Sequence, residues 1–600
     1  MGEIKTIPAR NEVPKENTWA LEDMYASKSL WEDDIKKASK MADEAASFCG
    51  KVGESASSLY NFIKLTEDMS IILDDVAGFA SRSKDVDNTN PEGQSMETSA
   101  ISLLVECDSK VSFATPEILA VPDDVLNRYY EEEPKLNDYR RYITDLRRCK
   151  DHILSPECEK LLADAGEMAQ TPGQVYSMLS DADMKFPSAK DCEGREYEVT
   201  HGSFIPLMES KDRELRKSAF SSVYSTYGNM INTSASLLAG QINSLRFFAK
   251  ARKYNSTLEA SLDATNVPVS VYKNLIEAVH KDIGYLHRYM KLRKKLLGVD
   301  ELHMYDLYTP VVADADVDIP FEEAKENVLE ATKVYGKAYN DVLRNAFESR
   351  WIDIYENKGK TSGAYSSGER VHPFVLLNYK NTLDSQFTLC HEMGHAMHSY
   401  LSTKYQRPID KHYVIFVAEV ASTCNESILM RYLLGKTTDK KTRAYLINYF
   451  LEQFRTTLYR QAMFAEFELK INELSERGES LTASKLNEIY LELNKFYYGD
   501  DVVADPEIAL EWARIPHFYY DYYVFQYSTG FSAAIALSEK LVNGDPQDVE
   551  NYLNFLRGGC SKDPISLLKG AGVDMTTTKP IHSALKLFDS LIDEMEELTK

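Results

Sequence analysis

Almost every long segment of this 600-residue chain repeats apolar residues at three- and four-residue steps, the period of one buried helical face. Residues 321–348 carry Val328, Ala331, Tyr335, Ala338, Val342 and Ala346 in that pattern, with Pro320 where a first turn tolerates it. The last stretch repeats the pattern with Ile581, Leu585, Phe588, Leu591 and Met595. No Gly/Ser linker, low-complexity tract or fixed-period repeat separates independent modules, so these stripes must bury one another. The expectation is a mainly α fold.

Two stretches break the rhythm. Residues 184–206 (MKFPSAKDCEGREYEVTHGSFIP) combine Pro, Gly and a short alternating run, which reads as a hairpin or loop. In 350–379, RWIDIY alternates, KGKTSGAYSSGER reads as a loop and FVLLNY reads as a short apolar strand. Together they predict a small sheet within a helical protein. A soft boundary falls near residue 190.

Charge excludes some partners. Lys and Arg number 69 against 93 Asp and Glu, a net charge of -24. Such a surface repels phosphate backbones and anionic lipid, so neither nucleic acid nor a membrane is an expected partner. No run of 18 apolar residues exists, and the opening MGEIKTIPARNEVPKEN lacks the apolar core of a signal peptide. Gly2 with Thr6 fits the short myristoylation pattern, but Glu3 and the commonness of that pattern make it a coincidence. Eight scattered cysteines without a CxxC pair predict reduced, mostly buried thiols. The expectation is a soluble, cytoplasmic protein.

The second interruption leads into FVLLNYKNTLDSQFTLCHEMGHAMHSY, where His391, Glu392 and His395 form HExxH. On a helix, positions four apart share a face, so both imidazoles reach one ion and Glu392 can address the water on it. Chance yields about 0.02 such matches in a chain of this composition. His391, His395, His398 and His412, four of the twelve histidines, lie within 22 residues. Asp384 or Ser385 is the expected helix cap, and Phe387, Leu389, Met393, Ala396 and Met397 the packing face. Gly394 between the ligands costs a free helix about 1 kcal/mol, which leaves either close backbone approach or a tolerated glycine.

A catalytic zinc needs three protein ligands and an open fourth position. Downstream, the apolar segment YVIFVAEVASTCNESILMRYLL holds two lone carboxylates, Glu419 and Glu426. Burying a carboxylate among Phe416, Val417, Val420 and Ile428 is costly unless it pairs or binds metal. Glu419, 24 residues after His395, is the expected third ligand. Glu426, two turns on, is either an acceptor that orients a ligand imidazole or a solvated, salt-bridged residue.

HEMGHAMH followed by FVAEVAS resembles the M3 metallopeptidases, the thimet oligopeptidase-like enzymes, and within them the oligoendopeptidase F branch. ENTWALEDMY, TSGAYSSG and RIPHFYYDYYVFQYSTGFSAA agree with that resemblance, which runs over nearly the whole chain. It implies a mostly helical, two-lobed, clam-like body with a deep substrate channel, a small sheet beside the zinc helix and one zinc at the channel floor. With the boundary near residue 190, the expected domains are 1–190, helical, and 191–600, catalytic, with zinc helices over about 385–430; the resemblance implies hydrolysis of internal bonds in oligopeptides. The implied ligands are His391, His395 and Glu419, with Glu392 as base. The family also uses a histidine and two tyrosines seven apart to bind the scissile carbonyl and substrate backbone.

Segment 516–527 (PHFYYDYYVFQY) holds five tyrosines where composition gives about 0.7. If helical from Pro516, it places His517, Tyr520, Val524 and Tyr527 on one face. Tyr520 and Tyr527 match the family's separation, and Tyr523 is an alternative. His517 lies nearer the first tyrosine than in thimet-type members, and the glycines of their loop are missing. The Gly363–Gly368 loop and FVLLNY strand either offer backbone to an extended peptide or form a structural hairpin. Nitrogen and oxygen ligation favours zinc over cobalt or manganese. A dipeptidyl carboxypeptidase, an aminopeptidase of similar zinc chemistry, or an inactive peptide-binding scaffold are the competing readings.

Overall fold

The computed structural model describes residues 7–312 and 318–600; Gly2 and Thr6 lie outside the described residues. Helices dominate, as the periodicity predicts, and the chain divides into two compact units. One comprises the described residues within 1–151, 317–432 and 537–572; the other comprises those within 152–316, 433–536 and 573–600.

The terminal helix Lys579–Leu598 carries Pro580 in its first turn and buries all five predicted residues, Ile581, Leu585, Phe588, Leu591 and Met595. The 321–348 stretch differs from its expectation. It is two helices, Phe321–Ala331 and Lys337–Glu348, joined by a 3-10 turn that ends at Gly336. Gly336 has φ +88°, a conformation that ends a helix and that glycine adopts without penalty. The break shifts the buried face by one residue, so Tyr339 and Leu343 are buried where Ala338 and Val342 were expected.

Among the described residues seven short strands interrupt the helices: β1 (Ala189–Lys190), β2 (Glu196–Tyr197), β3 (Leu302–His303), β4 (Ile352–Asp353), β5 (Tyr365–Ser367), β6 (Phe374–Leu376) and β7 (Val502–Val503). β1 and β2 form the hairpin expected in 184–206. Asp191 holds its turn by accepting from the backbone N–H groups of Glu193 and Arg195, each at 2.9 Å. In the first unit β4, β6 and β5 make the expected small sheet, with β6 central, parallel to β4 and antiparallel to β5. The segment read as a loop therefore contains an edge strand, β5.

That sheet is anchored by a buried carboxylate. Asp353 is fully buried and pairs with Arg10 at 2.6 Å and Lys360 at 2.7 Å, two cations that offset its desolvation. Trp19 packs edge-on against Phe374 beneath the sheet. Gly368, just after β5, lies so close to the helix Leu383–Tyr405 that a Cβ there would meet Ser399 Cβ at 2.5 Å. The sheet thus bears directly on the HExxH helix.

No disulfide joins the described cysteines. Only Cys107, Cys390 and Cys424 are buried, fewer than expected; Cys49, Cys158 and Cys192 are exposed because they lie in turns and a first helical turn. No helix among the described residues is long and apolar enough to cross a membrane.

Candidate metal centre

His391 and His395 lie one turn apart on the helix Leu383–Tyr405, whose predicted packing residues Phe387, Leu389, Met393, Ala396 and Met397 are all buried. The cap is Thr382 rather than Asp384 or Ser385. Thr382 has extended backbone, so its hydroxyl can turn back and accept from the Ser385 N–H at 3.1 Å, while Ser385 is already inside the helix. The second helix, Ile415–Lys436, carries Glu419 and Glu426. Gly394 is where the two helices touch: a Cβ there would lie 2.6 Å from Ser422 Cα and 2.9 Å from the Ala421 carbonyl oxygen. The glycine permits close backbone approach.

This approach brings three donor atoms together. Glu419 Oε2 lies 3.2 Å from His391 Nε2 and 3.3 Å from His395 Nε2, and the two Nε2 atoms are 3.2 Å apart. A tetrahedral cation such as Zn²⁺, with bonds of about 2.0–2.1 Å, has ligand edges of about 3.3–3.4 Å. The triangle matches one face of that tetrahedron, so the group could hold a metal. Glu426 Oε1 sits 2.5 Å from His391 Nδ1. A carboxylate there fixes the proton on Nδ1 and turns the Nε2 lone pair toward the other donors. Of the two readings for Glu426, the geometry selects the orienting acceptor.

The electrostatics divide the carboxylates. Burial works against charge on Glu419, but the bonds to His391 and His395 outweigh it and hold its carboxyl below the usual range. Burial pushes the Glu392 carboxyl upward despite the neighbouring imidazoles, and its Oε2 is buried without a hydrogen-bond partner. A buried carboxylate with an open oxygen is suited to accept a proton. His398 and His412 do not join the group. His398 stacks on Tyr413 at 3.7 Å and burial pushes it down to about 3, so it is a neutral core ring; His412 is exposed and faces Asp74.

The tyrosine-rich segment is not a helix from Pro516. Pro516–Tyr519 form a 3-10 turn, Asp521 and Tyr522 take left-handed backbone (φ +49° and +61°), and the helix begins only at Phe525. The expected single helical face therefore does not exist. The left-handed pair is held from a distance: Tyr522 donates its N–H to the buried Glu468 at 2.6 Å, and its hydroxyl bonds Thr257 at 3.0 Å. The rings nevertheless gather. His517 lies 5.6 Å from Tyr520, 6.1 Å from Tyr523 and 6.1 Å from Tyr527 between ring centroids. Tyr523 joins the cluster as fully as the two tyrosines chosen on spacing. Burial lowers the His517 pKa, which favours the neutral ring.

The family model for peptidase family M3 matches residues 206–587, and that for oligopeptidase F matches residues 117–186. The chain belongs to peptidase family M3. It is 43% identical to the oligopeptidase PepF of Bacillus subtilis over 99% of this chain and 88% of that protein. With the group B oligopeptidase PepB of Streptococcus agalactiae it shares 40% identity over 98% of each. Among solved structures, oligoendopeptidase-F from Enterococcus faecium superposes with a TM-score of 0.75 at 39% identity, over 95% of this chain and 99% of that one.

This M3 chain is thus a peptidase, a hydrolase, and the sequence alone pointed to the group His391, His395 and Glu419, which could hold a metal. Two structural features escaped that reading. The contact role of Gly394 leaves no local signal. Glu468, which clamps the turn, lies 54 residues from Tyr522.

Proposed function

We propose that this M3 peptidase is a zinc-dependent endopeptidase that cleaves internal bonds of short, unstructured oligopeptides. One observation carries the reading: two imidazole nitrogens and one carboxylate oxygen lie 3.2–3.3 Å apart, beside the unpartnered oxygen of Glu392. Two nitrogens and one oxygen form a donor set that favours zinc. Zinc held by His391, His395 and Glu419 would supply Lewis acidity that makes water a better nucleophile near neutral pH. The names of the relatives, oligopeptidase and oligoendopeptidase, support short substrates and internal cleavage.

The residues then divide the work. Glu392 takes the proton of the attacking water at its carboxylate and hands it to the leaving nitrogen. Glu426 keeps His391 in the tautomer that offers Nε2. Tyr520, Tyr527 or Tyr523 donates a hydroxyl hydrogen to the oxygen that gains charge, with His517 as a further donor to it or to the substrate backbone; this assignment rests on the family resemblance.

Two substitutions and one peptide test the reading. Glu392→Gln should abolish turnover with zinc still bound at one per chain. Glu419→Gln should lose zinc affinity together with activity. A peptide blocked at both ends should still be cut internally. Zinc-replete E392Q with wild-type activity would refute the base, and failure on every doubly blocked peptide would favour an exopeptidase.

A further inference from the structure

The second unit contains a cavity of about 540 Å³ beside the His517–Tyr527 segment. Four aromatic residues, Tyr176, Phe248, Tyr519 and Tyr520, line it among small and amide side chains, with Tyr176 stacked on Tyr519 at 4.4 Å. Asp521 is the one acid in the lining, and among the described residues no Lys, Arg or His lines it. Gln241 Nε2 donates to Asp521 Oδ1 at 3.1 Å, which fixes the carboxylate without neutralising it. Burial accordingly pushes the Asp521 carboxyl upward.

The backbone that presents this carboxylate is strained. Asp521 and Tyr522 are consecutive non-glycine residues in left-handed conformation, which L-residues adopt at a cost and keep only when their surroundings over-determine it. Here they do. The Tyr522 N–H bonds buried Glu468, its hydroxyl bonds Thr257, and its ring packs edge-on against Tyr272 at 5.6 Å. Chain reversal alone would be easier with glycine; this turn instead holds a carboxylate at the wall of a cavity that also carries four aromatic rings.

We propose that the cavity is a subsite for one cationic side chain, lysine or arginine, of a peptide substrate, with Asp521 as its counter-charge. This rests on the reading that the His517–Tyr527 segment engages the peptide. The chemistry selects the ligand. Aromatic faces attract cations and also accommodate the aliphatic stem of Lys or Arg. An acidic side chain is repelled by Asp521. An apolar one would desolvate the carboxylate further without pairing it.

The test walks a single Arg along an otherwise neutral, end-blocked fluorogenic octapeptide, with norleucine at the same position as the control. Wild-type protein should prefer Arg over norleucine at one position by about tenfold in kcat/KM. Asp521→Asn keeps an oxygen for Gln241 and tolerates left-handed backbone. It should erase that preference while changing the norleucine peptide by less than about twofold. No Arg-preferring position in the wild type would overturn the subsite, as would a preference that survives in D521N. Equal loss on both peptides in D521N would also overturn it, because Asp521 would then merely shape the turn. Cleavage of none of the peptides would refute the endopeptidase reading itself, and the subsite with it.

Discussion

Gly394→Ala separates local helix propensity from the contact between the two helices that carry the metal ligands. In an isolated helix alanine is favoured over glycine by about 1 kcal/mol, so propensity predicts stabilisation. In this fold the added Cβ would stand 2.6 Å from Ser422 Cα and 3.0 Å from Ser422 N, both backbone atoms that cannot rotate away. Carbon atoms pack at about 3.5 Å or more, so the helices must part by about 0.9 Å. Overpacking of that kind costs about 1–3 kcal/mol, which leaves a net loss of about 0–2 kcal/mol after the propensity gain. The displaced residue is coupled to the metal group, because Ser422 Oγ donates to Glu419 Oε2 at 3.1 Å. Ligand distances tolerate only about 0.2 Å, so zinc affinity should fall at least about tenfold. Thermal melts of metal-free protein, with zinc titrations against a chromophoric chelator, read both effects. A metal-free G394A more stable than wild type, or one with unchanged zinc affinity, would refute the close-contact argument.

Glu426→Gln keeps an acceptor for His391 Nδ1–H but removes its charge, so zinc affinity should fall about 10–100-fold in the same competition titration. Tyr520→Phe, Tyr523→Phe and Tyr527→Phe are tested side by side, and the hydroxyl that assists the carbonyl should reveal itself by a loss of about 10²–10³ in kcat with little change in KM. Glu468 links pH to stability. Burial raises its carboxyl to about 8, so its contribution is fully present below the usual glutamate range and is lost as pH rises toward 8. Glu468→Gln, neutral at every pH and still able to accept from Tyr522 N–H, should gain stability over wild type progressively between pH 5 and 8, by an amount on the order of a few kcal/mol, read as a growing difference in melting temperature. A difference in melting temperature that stays constant across that range would show that Glu468 does not titrate there.

What the sequence determined by itself were the features whose physics is local. A helical repeat is set by neighbours three and four apart, so the buried face of Lys579–Leu598 was legible, and so was the shared face of His391 and His395. Glu419 could be found because a carboxylate in an apolar helix needs a partner, and Glu426 because two turns return it to the same side. Tertiary structure decided the rest. The 516–527 run has the spacing of a helix, yet Glu468 and Thr257, remote in sequence, hold its centre in left-handed backbone. Gly394 reads locally as a weak spot in a helix and is instead where two backbones meet. In each case the deciding atoms lie beyond the reach of one helical turn, and only packing brings them within bonding or contact distance.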